Sequence, residues 1–230
     1  MVGPGPRVLV VDDDPAVRRF LRVALKAAGF SVFETGSAGA VSTAVAAIRP
    51  DAIILDLGLR DGNGIEVIRK LRKSVQTPIL VLSVREEEAE KIAALDAGAD
   101  DFLTKPFGIG ELLARLRVCL RHAVPTESGT PFQDGDLTVD LSQRLVTVAG
   151  RTVQLTPTEY DLLKALIGAR GKVLTGQQLL RQVWGVGYGT ELHMLRVNIT
   201  NLRRKLEQDP TRPVHIVTEP GVGYRLRVHG

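Results

Sequence analysis

The sequence predicts a five-stranded, doubly wound α/β domain, then an α+β domain whose elements follow the order of a winged helix. Three features predict it. The first half of the 230 residues alternates short apolar runs with amphipathic stretches, the pattern of βα units around a parallel sheet. Near Ala123–Phe132 a cluster of Pro125, Ser128, Gly129 and Pro131 interrupts that pattern, as a linker does. Beyond it come short β-like pieces, three helices and two more strands. The expected division is residues 1–122, a linker at 123–131, and residues 132–230. A chain of this length has room for two cores of ordinary size.

The five strands are expected at Arg7–Val11, Ser31–Thr35, Ala52–Asp56, Ile79–Ser83 and Asp101–Thr104. A helix near Pro15–Ala28 places Val17, Phe20, Leu21, Ala24, Leu25 and Ala28 on one face, and Gly29 stops it. Such doubly wound (flavodoxin-like) domains gather their functional groups at the carboxyl ends of the strands. In the second half, Leu137–Leu141, Leu145–Val148 and Thr152–Leu155 read as β pieces. Thr156-Pro157-Thr158-Glu159 opens a helix with a capping box and Pro at its first position, and Thr175 with Gln178 opens the next. The third helix runs over about Leu192–Leu206, ended by Asp209-Pro210. His215–Glu219 and Tyr224–Val228 flank the turn at Pro220–Gly223, a hairpin.

Composition narrows the function classes. No apolar run approaches the ~18 residues of a membrane span. Met1 to Pro6 lacks the charged and apolar regions of a signal peptide, so a cytoplasmic chain without membrane insertion is expected. Cys119, the single cysteine, excludes an internal disulfide or a multi-cysteine metal site and reads as a small apolar residue packed on a helix. The formal charge of +4 divides into +1 over residues 1–123 and +3 over 124–230, concentrated between Arg170 and Lys205. A local basic face suits an anionic partner such as nucleic acid, although a basic helix is also a common solvated face.

Chemistry gathers in the first half. Asp12, Asp13 and Asp14 follow the first strand and Asp56 ends the third. Those strand ends are neighbours in a doubly wound sheet, so several carboxylates share one rim and raise one another's pKa unless a cation neutralises them. Hard oxygen ligands on few residues suit Mg²⁺. The plainer alternative is that the aspartates cap the helix at Pro15, a role that fits Asp14 best. Ser83 ends the fourth strand and Lys105-Pro106 follows the fifth, at the same edge. A carboxylate nucleophile, a metal, a hydroxyl and an ammonium together are what an acyl-phosphate needs.

Over about residues 7–121 the sequence resembles the receiver domain of response regulators. The matching stretches are Val10–Asp14, Leu55–Gly58, Val81–Ser83 and Phe102–Pro106. The resemblance implies that Asp56 accepts phosphate from a sensor histidine kinase. Asp13 and the Gly58 carbonyl would bind Mg²⁺ with Asp56, Asp12 assisting through water. Ser83 and Phe102 take the places of the switch residues, and Lys105-Pro106 that of a cis peptide. Arg60 stands where the family usually has proline. By the same resemblance, charges that include Lys91, Asp100, Asp101, Glu111 and Arg115 form a dimerisation face, with Lys91–Glu111 and Asp101–Arg115 pairing between subunits after phosphorylation. The plainer reading is a solvated surface.

In the helix from Leu192, apolar Leu192, Leu195, Ile199, Leu202 and Leu206 form one stripe. The opposite side carries His193, Val197, Thr200, Asn201 and Arg204, flanked by Arg196, Arg203 and Lys205, with no acid between Leu192 and Leu206. Such a mixture suits the major groove of double-stranded DNA. Over about residues 131–228 the sequence resembles the winged-helix effector of OmpR/PhoB-type regulators. The carriers are Leu155–Tyr160, Val173–Thr175, Val183–Gly185, Leu202–Leu206 and Gly221–Arg225. That implies base or backbone contacts from Arg196, Val197, Thr200, Asn201 and Arg203, support from Thr218 and Tyr224, and RNA polymerase contact near Trp184. Pro220 stands where the family often has a basic wing residue. The runs Asp56–Leu59, Ala94–Asp101, Pro106–Leu112 and Leu206–Pro210 resemble regulators of potassium-uptake (Kdp) operons.

Together these features predict a transcription factor and not an enzyme. An aspartate-based phosphatase needs an acid two residues after the nucleophile, where Gly58 stands. A regulator indifferent to phosphorylation is the other alternative.

Overall fold

The computed structural model describes residues 5–84, 88–121, 131–185, 187–188 and 191–227. The chain divides into two compact units, Met1–Ala123 and Val124–Gly230. The expected linker at 123–131 lies, apart from Pro131, outside the described residues.

In the first unit β1 (Arg7–Val11), β2 (Ser31–Thr35), β3 (Ala52–Asp56), β4 (Ile79–Ser83) and β5 (Asp101–Thr104) pair in parallel in the order β2-β1-β3-β4-β5. Every residue of β3 and β4 is buried, as strands covered on both faces must be. Helices α1 (Pro15–Ala27), α2 (Val41–Ile48), α3 (Gly64–Leu71), α4 (Glu88–Asp96) and α5 (Ile109–Arg121) alternate with the strands. On one face Leu21 and Leu25 of α1 and Leu112, Leu116 and Cys119 of α5 pack on Val8, Val10, Ile54, Leu80 and Leu82. Strand periodicity turns Leu9, Ile53 and Val81 to the opposite face.

The strand order reverses between β1 and β3, and a doubly wound sheet opens its crevice at that reversal. Asp14 caps α1 by accepting from the Ala16 N–H at 2.8 Å, with Pro15 at the first helical position, so β1 passes into α1 in three residues. Gly64 has a similar positioning role. A Cβ there would lie 2.7 Å from Leu57 Cα and 2.9 Å from the Asp56 carbonyl oxygen, so only glycine lets α3 begin directly under the end of β3. Phe20, expected in the core, is 51% exposed. The buried stripe of α1 runs through Leu21 and Leu25, and Phe20 sits one residue, about 100°, around the helix from it.

The second unit opens with an antiparallel sheet in the order β6 (Phe132–Asp134), β7 (Leu137–Asp140), β8 (Leu145–Val148) and β9 (Arg151–Thr152). Helices α6 (Pro157–Gly168), α7 (Gly176–Val183) and α8 (Leu192–Leu206) follow, and capping boxes open both α6 (Thr156/Glu159) and α7 (Thr175/Gln178). Strands β10 (Leu174–Thr175), β11 (Ile216–Glu219) and β12 (Gly223–Leu226) make a second sheet in the order β10-β12-β11. The short strand β10 was not expected. It fits because Gly223 leaves room for Leu174, whose carbonyl oxygen would lie 2.0 Å from any Cβ at that position.

Candidate functional site

The carboxylates of Asp12, Asp13 and Asp56 converge at the carboxyl ends of β1 and β3, with one oxygen from each lying within 4.8 Å of the others. Asp12 is fully buried and Asp56 nearly so. From the end of β5, Lys105 spans both: its Nζ lies 2.9 Å from Asp12 Oδ2 and 3.0 Å from Asp56 Oδ1. The other Asp12 oxygen accepts from the Asp14 N–H at 2.9 Å. The Gly58 N–H donates to Asp56. The Lys105-Pro106 peptide is cis, and the Lys105 N–H donates to the Ser83 carbonyl at 2.7 Å, fixing the β5 end beside β4.

The electrostatics follow from burial among like charges. Burial lifts the Asp56 pKa above the ordinary carboxylate value, Lys105 opposes the rise, and the Asp12 charge adds to it. Burial works against the Lys105 ammonium, but hydrogen bonds and charge from Asp12 and Asp56 outweigh it and hold its pKa above the usual value. A group with a raised folded-state pKa favours folding at low pH and loses that advantage as pH rises through the folded value. Asp56→Asn should therefore raise the melting temperature near neutral pH, and the gain should disappear as pH falls below the ordinary carboxylate range. A melting series across pH checks it.

Three clustered acidic oxygens form a donor set that fits Mg²⁺, and carboxylate-rich sites of this kind prefer it to softer metals. Arg60, outside the expected set, reaches this cluster with Nε 2.8 Å from Asp13 Oδ2. Ser83 is buried at the end of β4, and its hydroxyl donates to Glu90 of α4 at 2.7 Å. Phe102 is 8% exposed, with Lys91 Nζ 5.0 Å from its ring centroid. Cys119 is buried and its thiol pKa is pushed up by burial, consistent with packing.

The expected dimer-face charges are engaged within one chain. Arg115 holds Asp101 at 3.1 Å and Glu111 at 2.8 Å. Asp100 is likewise engaged within the chain. It is 2% exposed, accepts from Arg72 at 2.7 Å and caps the β4 start by accepting the Ile79 N–H at 2.9 Å. Buried next to a strand end, a carboxylate requires such partners.

On α8 the outer face consists of exposed Arg196, Thr200 and Arg204 with half-buried Val197 and His193. Leu195, Ile199, Leu202 and Leu206 of the expected inner stripe are buried and Met194 and Asn198 join them, while Leu192 is 39% exposed. Asn201 was expected outside but is 7% exposed, and its Oδ1 accepts from Arg204 at 3.0 Å. Lys205 places its ammonium 2.6 Å from buried Glu159, tying α8 to the α6 cap.

Arg203, expected among the DNA contacts, is held within the unit. Its Nε and one terminal nitrogen donate to the Ile216 carbonyl at 2.9 and 2.7 Å, the same nitrogen reaches Thr218 Oγ1 at 2.7 Å, and its guanidinium sits 5.8 Å from the Tyr224 ring centroid. It fastens the wing hairpin to α8. Arg203→Ala should cost about 1–3 kcal/mol in stability through these charged hydrogen bonds. Arg196→Ala should leave melting unchanged and lower the salt slope of DNA binding by about one unit. Thermal melts and a salt titration separate the two roles.

The two units match known families. Residues 8–117 fit the response regulator receiver domain, and residues 150–226 fit the C-terminal domain of transcriptional regulatory proteins. The KDP operon transcriptional regulatory protein KdpE of Escherichia coli (strain K12) is 53% identical over 220 residues, covering 95% of this chain and 98% of that protein. The chain belongs to the OmpR/PhoB-type response regulators. Another relative of this regulator, the transcriptional regulatory protein KdpE of Mycobacterium tuberculosis (strain CDC 1551 / Oshkosh), is 46% identical, with 95% and 98% covered. Among solved structures, a RitR mutant superposes with a TM-score of 0.80 at 27% identity, covering 98% of this chain and all of that one. DrrB, a Thermotoga maritima OmpR/PhoB homologue, gives 0.52 at 28% identity, covering 96% and 99%. The regulator thus has a receiver and a DNA-binding effector, its relatives are transcriptional regulators, and none of its described helices is long and apolar enough to cross a membrane.

Proposed function

We propose that Asp56 accepts a phosphoryl group from a sensor histidine kinase and that this changes how α8 and the wing engage promoter DNA. The observation that supports it best is Asp56 at the β3 end, 3.0 Å from Lys105 and within reach of the Asp12 and Asp13 carboxylates. An Asp56 oxygen attacks phosphorus while the P–N bond to the donor imidazole breaks. Lys105 would then meet a phosphoryl oxygen, and Asp13, Asp56 and the Gly58 carbonyl, with Asp12 assisting through water, would hold a Mg²⁺ ion whose charge would offset that of the group.

Ser83 can bond to a phosphoryl oxygen only by releasing Glu90, which loosens α4 from β4. Phe102, with Lys91 Nζ 5.0 Å from its ring centroid, would follow that change, and α4, β5 and α5 form the proposed dimer face. Phosphorylation would then shift a pre-existing equilibrium between two arrangements of this face. Asp101, Arg115, Glu111 and Lys91 would exchange partners between subunits. RNA polymerase contact near the loop after Trp184 and a cytoplasmic location belong to the same reading. By analogy with the KdpE relatives, potassium-transport genes are the proposed targets.

The test is incubation with acetyl phosphate and Mg²⁺, intact-mass analysis, sedimentation, and binding to promoter DNA. One added phosphoryl group on wild type, none on Asp56→Asn, and tighter DNA binding of the modified dimer are expected. Equal DNA binding by Asp56→Asn and modified wild type refutes the phosphorylation dependence.

A further inference from the structure

We propose that Arg60 is a built-in competitor of the divalent cation, occupying Asp13 until the ion displaces it. The inference rests on reading Asp12, Asp13 and Asp56 as the ion's ligands. Three clustered carboxylates require positive charge, and two side chains supply it, one half-buried and one exposed. Lys105 neutralises Asp12 and Asp56 from within the pocket. Arg60 approaches Asp13 from solvent, its side chain 85% exposed against 16% for Asp13.

The backbone holds Arg60 in position to do this. Leu59 is buried on one side. On the other, Asp61 accepts from the Ser37 hydroxyl at 2.6 Å and from the Ala38 and Gly39 N–H groups at 2.9 and 3.3 Å. These bonds hold the Asp61 pKa below the ordinary carboxylate value, so the clamp is charged at neutral pH. Arg60 is thereby fixed between two anchors, with its long side chain lying back toward Asp13.

An ion that takes Asp13 as a ligand must break this pair or accept a repelling guanidinium beside it. Exposed ion pairs are weak, so the handicap is moderate, about two- to fivefold in Mg²⁺ affinity at low ionic strength. It should shrink as salt screens the pair. A side chain without charge at this position creates no such competition.

The experiment titrates Mg²⁺ into the full chain and follows the amide resonances of Asp13 and Gly58. Arg60→Ala should bind Mg²⁺ about two- to fivefold more tightly than wild type at low salt, with the gap closing at high salt, and Arg60→Lys should fall between them. The same spectra report whether each variant is folded. Equal or weaker binding by Arg60→Ala overturns the proposal while leaving the ion site intact. If Mg²⁺ shifts these amides in neither wild type nor Arg60→Ala, the ion-site reading itself fails.

Discussion

Lys105→Met should destabilise the first unit by roughly 2–4 kcal/mol when divalent ions are chelated, and Mg²⁺ should recover more stability in the variant than in wild type. The ammonium is the shared partner of two carboxylates, one of them fully buried. Methionine keeps much of the stem volume but leaves Asp12 and Asp56 facing each other in a poorly solvated pocket. Breaking a buried pair by removing one partner typically costs about 3–5 kcal/mol. The lower figure applies because Lys105 and Asp56 retain some exposure and can be partly screened by water. A divalent ion then has two uncompensated carboxylates to bind and no ammonium to displace. Trp184 lies in the other unit, so the measurement should be hydrogen exchange at the β1 and β3 amides, with chelator and with Mg²⁺. Unchanged protection in chelator would show that Lys105 does not hold the pocket together.

Much of this pocket was legible in the sequence because topology alone places it. Short apolar runs ending in Asp12, Asp56, Ser83 and Lys105 fix which groups share a sheet edge, whatever the side-chain detail. Asp14, Thr156 and Thr175 were legible as caps because capping is local, decided within four residues. What escaped were side chains whose partners lie far along the chain. Arg60 reads as a substitution in a loop until the fold brings Asp13 beside it. Glu90 is one more acid on α4 until Ser83 points at it.

The helix α8 illustrates a second limit. Its buried stripe contains Asn198 and Asn201, polar residues that hydropathy assigns to the outside. Asn198 satisfies its amide on the Met194 carbonyl one turn back, which makes its burial tolerable. Counting apolar residues therefore placed the stripe partly on Leu192, which is exposed, and sent Asn201 to the wrong face. Arg203 shows the same limit for basic residues. A guanidinium on a basic helix reads as a ligand contact, and its three hydrogen bonds to the wing become visible only in the fold.

Arg72→Met should cost about 3–5 kcal/mol, one of the largest losses available outside the apolar core. Arg72 is a hub between the end of α3, the turn after α4 and the start of β4: it donates to the carbonyls of Gly98, Val75 and Thr77 and to the Asp100 carboxylate. The Arg72 and Asp100 side chains are only 10% and 3% exposed, so removing the guanidinium leaves an ionised group with little water to replace it. Asp100 cannot simply be lost, since it also accepts the Ile79 N–H that begins β4. The double variant Arg72→Met/Asp100→Asn should therefore recover part of the loss, because asparagine keeps the acceptor for Ile79 without the buried charge. Hydrogen exchange at the β4 amides should show the single variant least protected and the double variant intermediate. Additive losses would place the role of Arg72 in its three carbonyl contacts instead. Because β4 carries Ser83 and β5 carries Phe102, a loosened Asp100 anchor should also weaken the link between Asp56 and the α4–β5–α5 face: phosphorylation of Arg72→Met should proceed while dimerisation in sedimentation falls.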